Sequence, residues 1–145
     1  MAGTTPAAFD PKPKYLSQTI DCIAASAILA GQVVAFNGTG VAWTVEPSDG
    51  VTTAAVVGVA LHSQATVGGH VAVAGPGSIL KVCEGDGANI DAGDTVVTSV
   101  STATGCVSTA AQADEYNVGV ALEDITANLT GYILLTAPVW VAKGA

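Results

Sequence analysis

The chain has 145 residues, half of them apolar, with only 11% charged and a formal net charge of −8. Its few cations are all lysine, so the forked side chain that grips phosphate is missing, and the acidic field would repel nucleic acid and anionic lipid. This length suits one domain, and an apolar set of Ala and Val with 17 Gly predicts short strands and tight turns rather than amphipathic helices.

Residues 1–18 carry Pro6, Pro11 and Pro13 together with Phe9 and Tyr15. Proline fixes φ and removes an amide donor, so this stretch is predicted to be an extended arm that cannot join a central strand. Phe9 and Tyr15 would be its apolar anchors on a partner, and its removal is predicted to leave the rest folded. Residues 19–145 are predicted to form a single β domain in two halves, about 19–84 and 89–141, with the glycine-rich segment 85–88 as the hinge. In the first half strands are expected at 32–36, 40–45, 55–61, 70–74 and 78–83. Asn37-Gly38 is a hairpin signal because both residues tolerate positive φ, and Ser48-Asp49-Gly50 and Val67-Gly68-Gly69 mark further turns. The second half is expected to hold strands at 95–100, 105–109, 116–122 and 131–136, with turns at Thr104-Gly105 and Leu129-Thr130-Gly131.

The two halves echo one another. Val57-Gly58-Val59-Ala60-Leu61 returns as Val118-Gly119-Val120-Ala121-Leu122, and Ala30-Gly31-Gln32-Val33-Val34 returns as Ala92-Gly93-Asp94-Thr95-Val96. The run from His70 to Pro76 aligns by sequence with that from Tyr132 to Pro138. A period near sixty is too long for a solenoid. It predicts an all-β fold, a small antiparallel barrel or sandwich built from two similar halves around one core.

Residues that could carry chemistry are sparse. Cys22, Cys83 and Cys106 lack the paired spacing of a zinc or redox centre and are predicted to be buried free thiols, in keeping with a reducing cytoplasm. His62 and His70 have no second histidine at ligand spacing, so no metal site is predicted. Glu84, Asp86, Asp91 and Asp94 could converge on a hard cation, but Asp and Gly occupy turns for backbone reasons, and solvated turn residues are the expectation. Glu123-Asp124 would point to opposite faces of a strand and not at one substrate. No catalytic residue, cofactor or secretory leader is predicted. The longest apolar stretches, 22–30 and 54–61, fall short of the ~20 residues that span a bilayer. Trp43 and Trp140 each suit either a core or a contact surface.

The succession Ile90-Asp91-Ala92-Gly93-Asp94-Thr95-Val96, the Thr104-Gly105 turn, Val118 to Asp124 and Gly131 to Leu135, with the similar first-half pattern, resembles the capsid cement (head decoration) proteins of tailed phages and related viruses. The resemblance covers about residues 28–137 and rests on order and spacing. It implies a β-rich virion structural protein, not an enzyme, made in the host cytoplasm. It would bind the major capsid protein on the outer surface of an icosahedral shell, as a homotrimer, with residues 1–18 reaching neighbouring subunits. Rival expectations are a virion fibre or carbohydrate-binding module, and a β-barrel enzyme using Asp91, Asp94 or His70.

Overall fold

A computed structural model describes residues 8–37, 41–49, 55–98, 102–109 and 115–141, and among these it contains no helix. Ten strands follow in order: β1 (Thr19–Ala24), β2 (Val33–Phe36), β3 (Thr44–Pro47), β4 (Val56–Ala60), β5 (His70–Ala74), β6 (Ile79–Cys83), β7 (Thr95–Thr98), β8 (Ser108–Thr109), β9 (Glu115–Ala121) and β10 (Thr130–Val141). β1, β3, β2, β4 and β5 close in that order into a barrel, and β6, β10, β9, β7 and β8 form a five-stranded sheet. The fold is all-β, with one closed barrel. β1 was not predicted; its outward Thr19 and Asp21 alternate with buried Cys22 and Ala24, a half-buried strand that reads as a merely apolar stretch. The expected strand at 40–45 begins only at Thr44, because Trp43 turns the chain at φ 64°. Gly38 and Gly50, which complete two predicted turns, lie outside the described residues.

Each pairing of the first half recurs in the second. β1 pairs antiparallel with β5 as β6 does with β10, and β4 with β5 as β9 with β10. β2 and β4 meet with a register shift between Val34 and Ala35, and β7 and β9 repeat that shift between Val96 and Val97. Even the parallel seam returns: Ala24 faces Val45 in the first half and Glu84 faces Val107 in the second. The registers correct one predicted alignment. Val59 faces Ala74 and Val120 faces Leu134, so His70 corresponds to Thr130 and Ala72 to Tyr132, two residues off the match suggested by sequence. The division between halves also moves. β6 belongs to the second sheet, so the chain changes sheet at 75–78 rather than at 85–88. Gly85 is no hinge; its N–H donates to Val107 O at 2.9 Å, and a Cβ there would fall 2.5 Å from Cys106 Cβ.

Alternation along the strands sorts side chains into two large apolar clusters, one of them shared by both halves, and a small third at Cys83, Ala103 and Cys106, where one core was expected. Val34 points into the first barrel with Cys22, Ala24, Ile28, Val45, Val57, Ala60, Val71 and Val73. A five-stranded barrel has a narrow interior, which suits the Ala and Val that line it beside Ile28. Val33, Ala35, Val56, Val59 and Ala74 face the other way and pack with Leu80, Ile90, Val96, Val107, Ile133 and their neighbours in the second half.

Residues 8–18 run along the body with a turn at Lys12, φ 42°, and they are not a free arm. Ile79 N donates to Tyr15 O and Lys14 N to Ile79 O, both at 2.8 Å, and Lys81 N donates to Pro11 O at 2.7 Å. The segment thus covers the open edge of β6, as proline-bearing edges can. Pro11 is buried, and Phe9 packs against Gly31 and beside Cys83 and Cys106. The predicted independence of residues 1–18 from the fold is corrected on these contacts: removing them strips the cover from β6 and a ring from the core.

Candidate interaction surface

The hairpin that precedes β3 sets up the most unusual side chain. Trp43 lies in the left-handed region at φ 64°, where a bulky residue is strained, and yet it is 59% exposed. By register it corresponds to Gly105, which takes φ 75° without strain. Gly105 is pressed into the junction of the halves: its N–H donates to Ser48 O at 2.7 Å and its carbonyl accepts from Val33 N at 2.8 Å. Among the described residues Trp43 makes no such junction, and its carbonyl accepts from Ile23 N at 2.8 Å. The indole therefore contributes little to the core and stands on the surface at a conformational cost.

Around it lies a groove of about 550 Å³ lined by Thr19, Ile20, Asp21, Ile23, Trp43 and His70. β1 lines it through Ile23 and through Ile20, which also packs against the barrel interior. Its polar rim is a cross-strand pair from β1 and β5, His70 Nδ1 lying 3.1 Å from Asp21 Oδ2, with both side chains largely exposed. Val41, next to the turn, is 64% exposed and extends the apolar surface. An indole, two isoleucines and an oriented imidazole can bury apolar surface and direct a few hydrogen bonds.

A second feature lies where β6, β10 and the N-terminal segment meet. Lys14 Nζ sits 4.5 Å and Lys81 Nζ 5.3 Å from the Tyr132 ring centroid, and Tyr132 OH donates to Lys12 O at 3.1 Å. Two of the four lysine ammonium groups thus gather on one ring of an acidic chain, with the Lys12 backbone at its hydroxyl and exposed Tyr15 and Leu16 next to Lys14 in the chain. The equivalent strands of the first half place Asp21 and Ala72 where Lys81 and Tyr132 stand, so the duplicated faces differ in charge.

The other predicted candidates fall into structural roles. Glu84 is not a solvated turn residue; it is 1% exposed, and its carboxylate accepts from Asp86 N at 2.6 Å, Gly87 N at 2.9 Å and Asn128 N at 2.9 Å. Burial, and then the Glu84 charge, hold the Asp86 carboxyl above its ordinary value. Asp94 and Asp124 accept from Asp91 N and Ala92 N, where the first half uses Gln32 and Ser63 on Leu29 N and Ala30 N. Glu123 and Asp124 follow β9 in a bend instead of lying on a strand, and Glu123 accepts from Tyr132 N at 3.0 Å. His62 Nε2 takes the same place in the first half, accepting from Ala72 N at 3.0 Å. His70 is brought to Asp21 and not to Asp91 or Asp94, and among the described residues no group of three or more His, Cys, Asp and Glu could hold a metal.

Of the predicted contact residues, Trp43 and Tyr15 are exposed, Phe9 is half-buried and Pro11 buried against the body, and Pro13 is exposed between them. Trp140 lies on β10 with its backbone opposite Tyr116, its side chain being outside the described residues, as is Pro6. The basic face was not foreseen; its signal was the recurrence of lysine at 12 and 14 in a chain so poor in cations. No protein-family model and no curated protein matches the chain.

Proposed function

We propose that the protein is a virion structural protein of the decoration, or cement, kind. It binds the major capsid protein on the outer surface of an icosahedral shell and stabilises that shell, acting as a homotrimer assembled in the host cytoplasm. The observation that carries this reading is Trp43, exposed and strained at the edge of an apolar groove on a body otherwise acidic and poor in aromatics. A strained exposed aromatic with no packing role fits a contact that forms elsewhere. The order and spacing of the duplicated strands, similar to those of cement proteins, supports the same reading. Repetition of modest contacts over a symmetric lattice would supply the affinity. Residues 8–18 would take part from their docked position, offering Tyr15, Leu16 and the lysine face outward.

The test is co-sedimentation with empty shells. Wild type is expected to pellet with shells to saturation. Trp43→Gly, which removes the ring and its backbone strain, is expected to lose that binding at least tenfold while its urea midpoint stays the same or rises. A tenfold loss corresponds to about 1.4 kcal/mol, modest for a central interface tryptophan. Full binding by Trp43→Gly would sink the assignment of this surface, and a wild type that never pellets would sink the function.

A second reading has its own support: an indole beside the oriented Asp21–His70 pair is also the equipment of a sugar-binding groove, stacking below and hydrogen bonds at the rim. Glycan-array binding that is lost in Trp43→Gly, without shell binding, would favour it.

A further inference from the structure

One difference between the halves is a pair of thiols at the seam. The parallel bridge of Glu84 to Val107 sets the residues just before it, Cys83 and Cys106, opposite each other, in the places of the register partners Ile23 and Thr44. Residues opposite one another on adjacent strands carry their side chains on the same face. Both thiols are free and buried, 3% and 1% exposed, in a small cluster with Ala103 under the half-buried ring of Phe9. Strands lie about 4.8 Å apart, within the roughly 4.4–6.8 Å Cα separation of disulfides. The seam itself is thin: two register pairs join β1 to β3, but a single bridge joins the end of β6 to the strand region at 107.

We propose that Cys83 and Cys106 are a disulfide site, oxidised in the folded protein by a small disulfide such as oxidised glutathione, and that the bond closes the second sheet into a barrel like the first. The Cys83 S–H donates to Glu84 O at 3.3 Å and the Cys106 S–H to Thr104 O at 3.8 Å, and the Cys106 thiol beside it holds the Cys83 thiol below its ordinary value despite burial. The neighbouring Cys83 thiol, then burial, pushes the Cys106 thiol up. Cys83 is therefore the attacking thiolate. Having lost its proton to solvent, its sulfur bonds to one sulfur of the oxidant, breaking that S–S bond and releasing one glutathione thiolate, which takes up a proton from solvent. Cys106 then attacks the Cys83 sulfur, its proton going to a glutathione thiolate, and the second glutathione leaves. Two protein thiols are oxidised, and one glutathione disulfide is reduced to two glutathione thiols. Phe9 gates access, since the N-terminal segment must lift for the oxidant to enter.

The experiment incubates the folded full chain with oxidised glutathione, counts thiols after denaturation and maps the linked peptides. Three free thiols are expected to fall to one. Cys22, in the interior of the first barrel, is the one that survives. The unfolding midpoint should rise by about 5–10 °C. Cys106→Ser should stop at a Cys83–glutathione adduct with no such rise, and Phe9→Ala should speed oxidation severalfold. Survival of all three thiols until urea unfolds the chain, a bond involving Cys22, or the same midpoint rise in Cys106→Ser would each overturn the proposal.

Discussion

Gly58→Ala is expected to destabilise the protein by about 3 kcal/mol or more, and to do so through a single methyl group. A Cβ on Gly58 would lie 1.8 Å from the carbonyl oxygen of Ala74, on the paired strand β5. That atom is backbone, locked into the barrel, and cannot swing aside as a side-chain end would. The second half repeats the constraint at Gly119, where the Cβ would fall 2.4 Å from Leu134 O. Gly119→Ala should therefore be the milder of the two. Urea midpoints of both variants check the ordering. A Gly58→Ala protein within about 1 kcal/mol of wild type would mean that β4 and β5 are not packed as described.

Glu84→Ala is expected to cost about 3 kcal/mol, because it orphans three backbone donors at once, the amides of Asp86, Gly87 and Asn128. The first half shows what the carboxylate replaces. Ala24 stands at the equivalent position, and there the amide of Gly68, the counterpart of Asn128, donates to the backbone carbonyl of Ala24 at 2.8 Å. Gly68 and Asn128 both take positive φ, 87° and 61°, so the turn is the same and only its acceptor has changed from main chain to side chain. Glu84→Gln should cost less than Glu84→Ala, since the amide oxygen still accepts while its NH2 opposes one donor. Equal losses for the two variants would show that shape rather than acceptor capacity matters at this site.

Most of the strand framework could be read from the chain, and the reasons for the failures are specific. Strands β4, β5 and β9 are Val-rich runs, alternating in β5 and carrying the repeated Val-Gly-Val-Ala in β4 and β9, the pattern with the least ambiguity. β1 escaped because Asp21 interrupts an apolar stretch, and its exposure on the barrel's outer face follows only from closure onto β3 and β5. The assignment of β6 to the second half depends on its pairing with β10, some fifty residues away, which no local pattern encodes. At the candidate surface, Trp43 was visible as a residue, but not the strained turn that holds it outward; that emerged from setting it beside Gly105. Asp21 and His70 likewise become partners through strand register alone. The docking of residues 8–18 depends on Phe9 fitting over Gly31, which no local pattern encodes.

The division of pairings has a consequence for how the molecule is made. Every strand of the first barrel finds its partners within residues 19–74, so that barrel can close while the ribosome is still adding the remainder. β6 must wait for β10, some fifty residues further on, before more than its end at Cys83 is covered by anything but the leader. The nascent leader, resting on β6, would thus shield a bare edge from neighbouring chains during the interval when intermolecular pairing is the chief hazard.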